Sequence, residues 1–262
     1  MSVLLVALDD SAAARPVIDL ARRFAPYVGA DVVAVHVQES GSGETARAVA
    51  ASAGVPLFVR TGDVVDELGS AQHELHALAI IAGTRRVPGG AKPAGHIAIR
   101  LMQELATAVV VVPPEAADRD LKRVMVAVEG DGESEALVAL IDQLDDIPGP
   151  EVVAVHVFEP EHLPLFGDEP VFETEAWASE FLRRIAHAPV DRVRLEVRVG
   201  AAIDMVPACV QELDVDLLVM GWHCNLAEGH GDIVRRVIET ASVPALLLPI
   251  GREAVVANLR AG

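Results

Sequence analysis

The chain has 262 residues, 52% of them hydrophobic but only 3% aromatic, and a formal net charge of −18. That length fits one large domain or two small ones, with cores built from Val, Leu, Ile and Ala instead of rings. So acidic a surface repels phosphate backbones and anionic lipid, which argues against nucleic-acid and membrane binding and requires a locally basic pocket for any anionic ligand.

The first predicted strand is 3–8, within MSVLLVALDD. This opening run has no basic n-region and stops at Asp9, so it reads as a strand and not as a signal peptide. No apolar stretch approaches the roughly 20 residues of a membrane span, and the expectation is a cytoplasmic protein. Val17, Leu20, Ala21, Phe24 and Val28 then follow helical spacing. Further strands are predicted at 31–37, 56–60, 78–82 and 108–112, followed by a linker, PPEAADRD, at 113–120. Two prolines end the strand there and acidic residues follow. The second half places strands at 123–128, 152–157, 193–198, 216–220 and 245–248, with a helical pattern through Ile233, Val234, Val237, Ile238 and Ala241.

These halves repeat each other. VVAVHV occurs at 32–37 and again at 152–157, an offset of 120, and VLLVALDD (3–10) matches RVMVAVEG (123–130) at the same offset. LFVRTG (57–62) matches LEVRVG (195–200), and ALAIIAGT (77–84) matches VDLLVMGW (215–222), now at 138. The chain is thus an internal duplication with an insertion near 160–177 in its second copy. Aliphatic strands alternating with amphipathic helices imply an α/β fold: two similar doubly wound domains, each a parallel sheet with helices on both faces. The domain boundaries read as 1–115 and 121–251.

In such sheets ligands sit beyond the carboxyl ends of the strands. Asp9 ends the first strand and Glu129 its counterpart; His36–Val37 and His156–Val157 end the second strands. The fourth strands run into the loops GTRRVPGGAKPAGH (83–96) and GWHCNLAEGHGD (221–232), each of which enters a helix. Such loops can offer backbone N–H groups to an anion, and they also serve as plain connectors. The first contains Arg85, Arg86, Lys92 and His96 and no acid; the second contains Glu228 and Asp232 and no Lys or Arg. Asp232 is expected at a helix N-cap, where its carboxylate would take an anion's place. The spacing of His223, Cys224 and His230 fits no standard zinc pattern, and they read as a polar loop tip. His36 and His156 read as structural, packed at the sheet end. Ser11 is expected to cap a helix beginning near Ala12, with Asp10 adding charge to that same end.

Taken together, the assembly resembles the universal stress protein family, as a tandem two-domain member. The resemblance implies five parallel strands per domain in the order 3-2-1-4-5, and edge-to-edge pairing of the last strands, 108–112 with 245–248, as an intramolecular pseudo-dimer. Association of two chains into a homodimer stays open. ATP-binding members carry a first-strand Asp, a valine ending strand two, and a loop Gly-x2-Gly-x9-Gly-Ser/Thr. Carried over, the adenine-nucleotide (ATP-like) positions are Asp9, Val37, Gly83, Arg86, Gly95, His96 and Ile97. Arg86 and His96 depart from the family's glycine and Ser/Thr, and the loop is one residue short. In the second copy Glu129, Cys224 and Asp232 depart further. Two readings follow: a stress-response regulator binding a nucleotide in domain one, or a nucleotide-independent scaffold acting through protein contacts. An enzyme ranks last, because no general base or metal site is evident.

Overall fold

The computed structural model describes residues 2–11, 14–38, 42–84, 96–105, 107–116, 120–128, 149–158, 193–223 and 231–250. The predicted insertion at 160–177 lies outside these residues. The first half runs β1 (Ser2–Ala7), α1 (Ala14–Phe24), β2 (Ala30–Val37), α2 (Glu44–Ala53), β3 (Leu57–Arg60), α3 (Val64–Glu74), β4 (Ala77–Gly83), α4 (His96–Glu104) and β5 (Ala108–Val112). The second half contributes β6 (Arg123–Ala127), β7 (Glu151–Phe158), β8 (Val193–Val199), α5 (Ala202–Glu212), β9 (Leu217–Trp222), α6 (Asp232–Thr240) and β10 (Ala245–Pro249). Each strand lies within two residues of its sequence expectation.

All ten strands form one sheet in the order β3-β2-β1-β4-β5-β10-β9-β6-β7-β8. Each half therefore has the order 3-2-1-4-5 when numbered from its own first strand. Pairing is parallel within each half and antiparallel at one place, β5 with β10, where Val110 faces Leu246 and Val109 faces Leu247. Every residue of β5 and of β10 is buried. Their uninterrupted aliphatic sequences are what a strand covered on both faces requires.

Antiparallel joining keeps each face of the sheet on the same side across the seam. Two core layers result, and each spans both halves. Under α1 and α2 lie Leu4, Val6 and Val110, continuing into Val126, Val219 and Leu246. On the opposite face lie Leu5, Ile80 and Val109, continuing into Met125, Leu218 and Leu247 beneath α3 to α6. α1 stops at Phe24 because Pro26 follows, in a short 3-10 turn closed by left-handed Gly29.

The duplication reaches the backbone. His76 and Asp214, 138 residues apart, both adopt positive φ (49° and 48°) in the turn between helix and strand, a conformation uncommon outside glycine. The buried stripe of α4, Ala98, Leu101 and Met102, recurs on α6 as Val234, Val237 and Ile238, at an offset of 136. One anchor lacks its counterpart in the first half, where Leu78 stands at the position of Asp216. Buried Asp216 accepts from the amides of Lys122 and Arg123, both at 2.8 Å, and so fixes the chain where it enters β6.

Leu247 is fully buried in the seam. Leu247→Ala should lower the unfolding free energy by about 3 kcal/mol, transfer loss and residual cavity together. Urea denaturation checks it; a loss below about 1 kcal/mol would mean the seam contributes little packing.

Candidate functional site

The register gathers three strand ends at one level. Ala7 of β1 lies opposite Val35 of β2 on one side and Ala82 of β4 on the other. From that level the chain runs on to Asp9, to Val37 and to Gly83–Thr84. β1 lies between β2 and β4, so this is the point where strand order reverses. In the second half Ala127 holds the same place between Val155 and Met220.

A buried imidazole closes the end of each first strand. His36 Nδ1 lies 2.9 Å from Leu8 O, and His156 Nδ1 lies 2.9 Å from Val128 O. A carbonyl only accepts, so Nδ1 carries the proton in both rings. The two strands also match just above: Leu8 N donates to Val35 O at 2.9 Å, and Val128 N to Val155 O at 3.0 Å. Both histidines are structural, each satisfying a carbonyl that the sheet leaves open. The His36 ring also presses on Gly43. A Cβ there would lie 2.8 Å from His36 Nε2, and Gly43 has a φ of 64°. Only glycine meets both demands.

Asp10 serves a different helix from the one its sequence position implies. Its Oδ2 accepts from Gly43 N at 2.9 Å and its Oδ1 from Ala46 N at 3.3 Å, which caps α2. Gly43 has no side chain to do so, and the β1 exit loop supplies the missing acceptor. α1 begins at Ala14, and Ser11 donates both its amide (3.0 Å) and its hydroxyl (2.6 Å) to Asp9 Oδ1. Ser11 thus closes a turn on Asp9, and Ala12, where the helix was expected to begin, lies outside the described residues.

Asp9 is exposed at the strand end, and Val37 and Gly83 are half-buried beside it. His96 and Ile97 open α4 and are half-buried as well. Arg86 and Gly95 lie outside the described residues, as do Glu129, Cys224 and His230. In the second half Val157 and Gly221 hold the matching places, but buried Trp222 stands where the first half has buried Thr84. Asp232 opens α6 one position inside its N-cap, which is the left-handed Gly231. No group of three potential metal ligands occurs among the described residues. No helix among them is long and apolar enough to cross a membrane.

A family model described as the universal stress protein family matches residues 120–249. The chain belongs to the universal stress protein family. Among solved structures, a universal stress protein from Archaeoglobus fulgidus DSM 4304 is similar over 96% of this chain and 97% of its own, with TM-score 0.61 and 15% identity. A functionally unknown protein from Pseudomonas aeruginosa PAO1 is similar over 99% of this chain and 95% of its own, with TM-score 0.65 and 16% identity. These whole-length likenesses show that the fold of both halves together recurs. No curated protein matches the sequence closely.

A feature that sequence reasoning missed joins two helices beside the site. Asp63, the N-cap of α3, accepts from Val65 N and Asp66 N, and Arg100 of α4 grips both its oxygens at 3.1 Å. Arg100 also donates to Glu104 at 2.8 Å. The Arg100 guanidinium, with help from the two backbone amides, lowers the Asp63 carboxyl to about 2 from an ordinary 3.8. Folded Asp63 holds its proton more weakly than the unfolded chain does. Its contribution to stability is thus complete above pH 4 and fades as pH falls toward 2. The sequence hint was present in Asp63, a good N-cap residue two positions before Val65, but its partner is 37 residues away.

His36→Ala and His156→Ala should each lower stability by about 2 kcal/mol, since each leaves a buried carbonyl unpaired. Chemical denaturation of both variants checks this; a large loss in one and none in the other would end the shared structural role. Carboxyl NMR titration should place the Asp63 midpoint near 2, and a midpoint at the ordinary value would mean the Arg100 grip is absent in solution.

Proposed function

We propose that this universal stress protein is a regulatory protein of the cytoplasm that binds one adenine nucleotide, ATP or a close relative, in its first half. The second half serves as its structural partner. The observation that carries the reading is the convergence of Asp9, Val37 and Gly83 at the strand-order reversal, with His96 and Ile97 at the start of the helix that follows. In this arrangement Asp9 and Val37 hold the nucleoside part. Arg86, Gly95 and His96 belong to the segment that meets the phosphates.

Charge supports the choice of half. The segment 83–96 contains two arginines, a lysine and a histidine within a chain of net charge −18. A local basic segment in so acidic a protein focuses anions. In the second half Asp232 is the acidic residue in the first turn of α6, where a helix dipole would otherwise favour an anion. Buried Trp222 ends β9 where the first half has the smaller, also buried Thr84. The family-model match falls on the second half; it follows the likeness of a whole domain and does not favour either half as the ligand site.

A scaffold that works without nucleotide is the second reading. It is favoured by Arg86 and His96 standing where ATP-binding members of the family carry glycine and Ser/Thr, and by the hold Ser11 already has on Asp9. We further read the chain as non-enzymatic.

Isothermal titration with ATP, combined with mass spectrometry of small molecules released from the purified protein, tests both readings. The expected result is one nucleotide per chain. Asp9→Ala should weaken it about tenfold or more, the value of a hydrogen bond to a charged group, while Glu129→Ala leaves it unchanged. No release and no binding at millimolar ATP would leave the scaffold.

A further inference from the structure

The two halves share strand order, buried histidines and left-handed turns, yet their outer helix pairs are joined differently. In the first half α3 and α4 meet at two points. One is polar: Arg100 grips both oxygens of Asp63 at 3.1 Å and is itself held by Glu104 at 2.8 Å. The other is apolar: a Cβ on Gly69 of α3 would lie 2.7 Å from Leu105 Cδ2, so the segment after α4 packs directly against the glycine. The second half keeps Arg236 at the position of Arg100 but changes the residues around it. Ala201 replaces Asp63 as N-cap and offers no side-chain acceptor, Pro207 inside α5 replaces Gly69, Thr240 replaces Glu104, and Ala241 replaces Leu105.

An anchor present in one half and absent from the other is not required by the strand order that the two halves share. α4 begins at His96, and Arg100 sits about one helical turn further along. Its anchor on α3 therefore fixes the height and rotation of the α4 amino end relative to the strand ends that hold Asp9, Val37 and Gly83. We propose that Arg100, through Asp63, is a positioning residue for nucleotide binding in the first half, an anchor that the second half has lost. This rests on the nucleotide reading above. Arg100 need not touch the ligand. It keeps the start of α4 in the place where the bound phosphates require it, so the ligand meets a preorganised site and not one it must order.

The test is a thermodynamic cycle with ATP as the probe and the full chain as the protein. Asp63→Asn keeps a good helix cap but removes the charge that Arg100 grips. Arg100→Gln removes the other partner. Each should weaken ATP binding by about fivefold, the upper range for a well-formed exposed ion pair, with melting temperatures lowered by no more than a few degrees. The double variant should also be weakened about fivefold, because the two residues act as one unit. Arg236→Gln, the counterpart in the second half, should change nothing. Unaltered protein that binds ATP together with variants that bind equally well would overturn the positioning role alone. Losses that multiply to about 25-fold in the double variant would also overturn it, since each residue would then act independently. Failure of the unaltered protein to bind ATP would overturn the nucleotide reading and this role with it. If Asp63→Asn proves unstable, Arg100→Lys supplies the same readout: a single-point contact in place of the fork should give a partial loss, and full retention would count against the role.

Discussion

A parallel sheet made of aliphatic runs leaves its last strand with one open row of N–H and C=O groups and apolar side chains on both faces. β5 (AVVVV) and β10 (ALLLP) are two such strands in one chain, and they close on each other. Most of the architecture depends on that seam. Because it is antiparallel, it relates the halves by a rotation about an axis through the sheet, so each face of one half continues into the same face of the other. Neither core ends at the seam. Val110 and Leu246 belong to one layer and Val109 and Leu247 to the other. The outer edges are treated differently. β8 carries Arg194, Glu196 and Arg198 as an ion-paired row, with separations of 3.4 and 2.7 Å, and charge on an edge discourages further pairing. β3 exposes Phe58 and Val59, and β8 exposes Val199 at its carboxyl end.

Within each half the carboxyl ends of the strands are held by polar groups acting over long sequence distances. His36 satisfies Leu8, Asp10 caps α2, and Gly43 is the one residue small enough to lie under the imidazole while turning left-handed. These contacts join the exits of β1 and β2 and the start of α2 into one unit. The His156–Val128 bond repeats the first of them in the second half. A group that recurs in both halves with the same geometry is explained by the fold. A group found in one half alone, such as the Asp63–Arg100 anchor or Trp222, has to be explained by what distinguishes that half.

That distinction is electrostatic as well as steric. The protein as a whole is strongly acidic, so an anionic ligand is excluded except where cations and helix amides are gathered. The first half gathers basic residues ahead of α4 and ties that helix to its neighbour. The second puts an acid in the first turn of α6 and a large ring beside β9. The second half covers the open edge of the first through β10 whatever residues stand at its own strand ends.

The sequence by itself determined the fold class, the ten strands to within two residues, the duplication with its offsets, and the structural character of the paired histidines. These follow from side-chain periodicity and from local repetition, which a linear reading captures. It also pointed to Asp9, Val37 and Gly83, because strand ends are legible wherever an aliphatic run stops. Only the tertiary structure decided that Asp10 caps α2 and not α1, that Gly43 lies under His36, that Asp216 anchors the entry to β6, and that Arg100 reaches Asp63. Apart from the steric contact of Gly43 with His36, seven positions away, each of these is a bond between residues tens of positions apart or more. Many acids and cations in the chain could have served equally well as partners, and it was the packing of helices on the sheet that brought one particular pair within hydrogen-bonding distance.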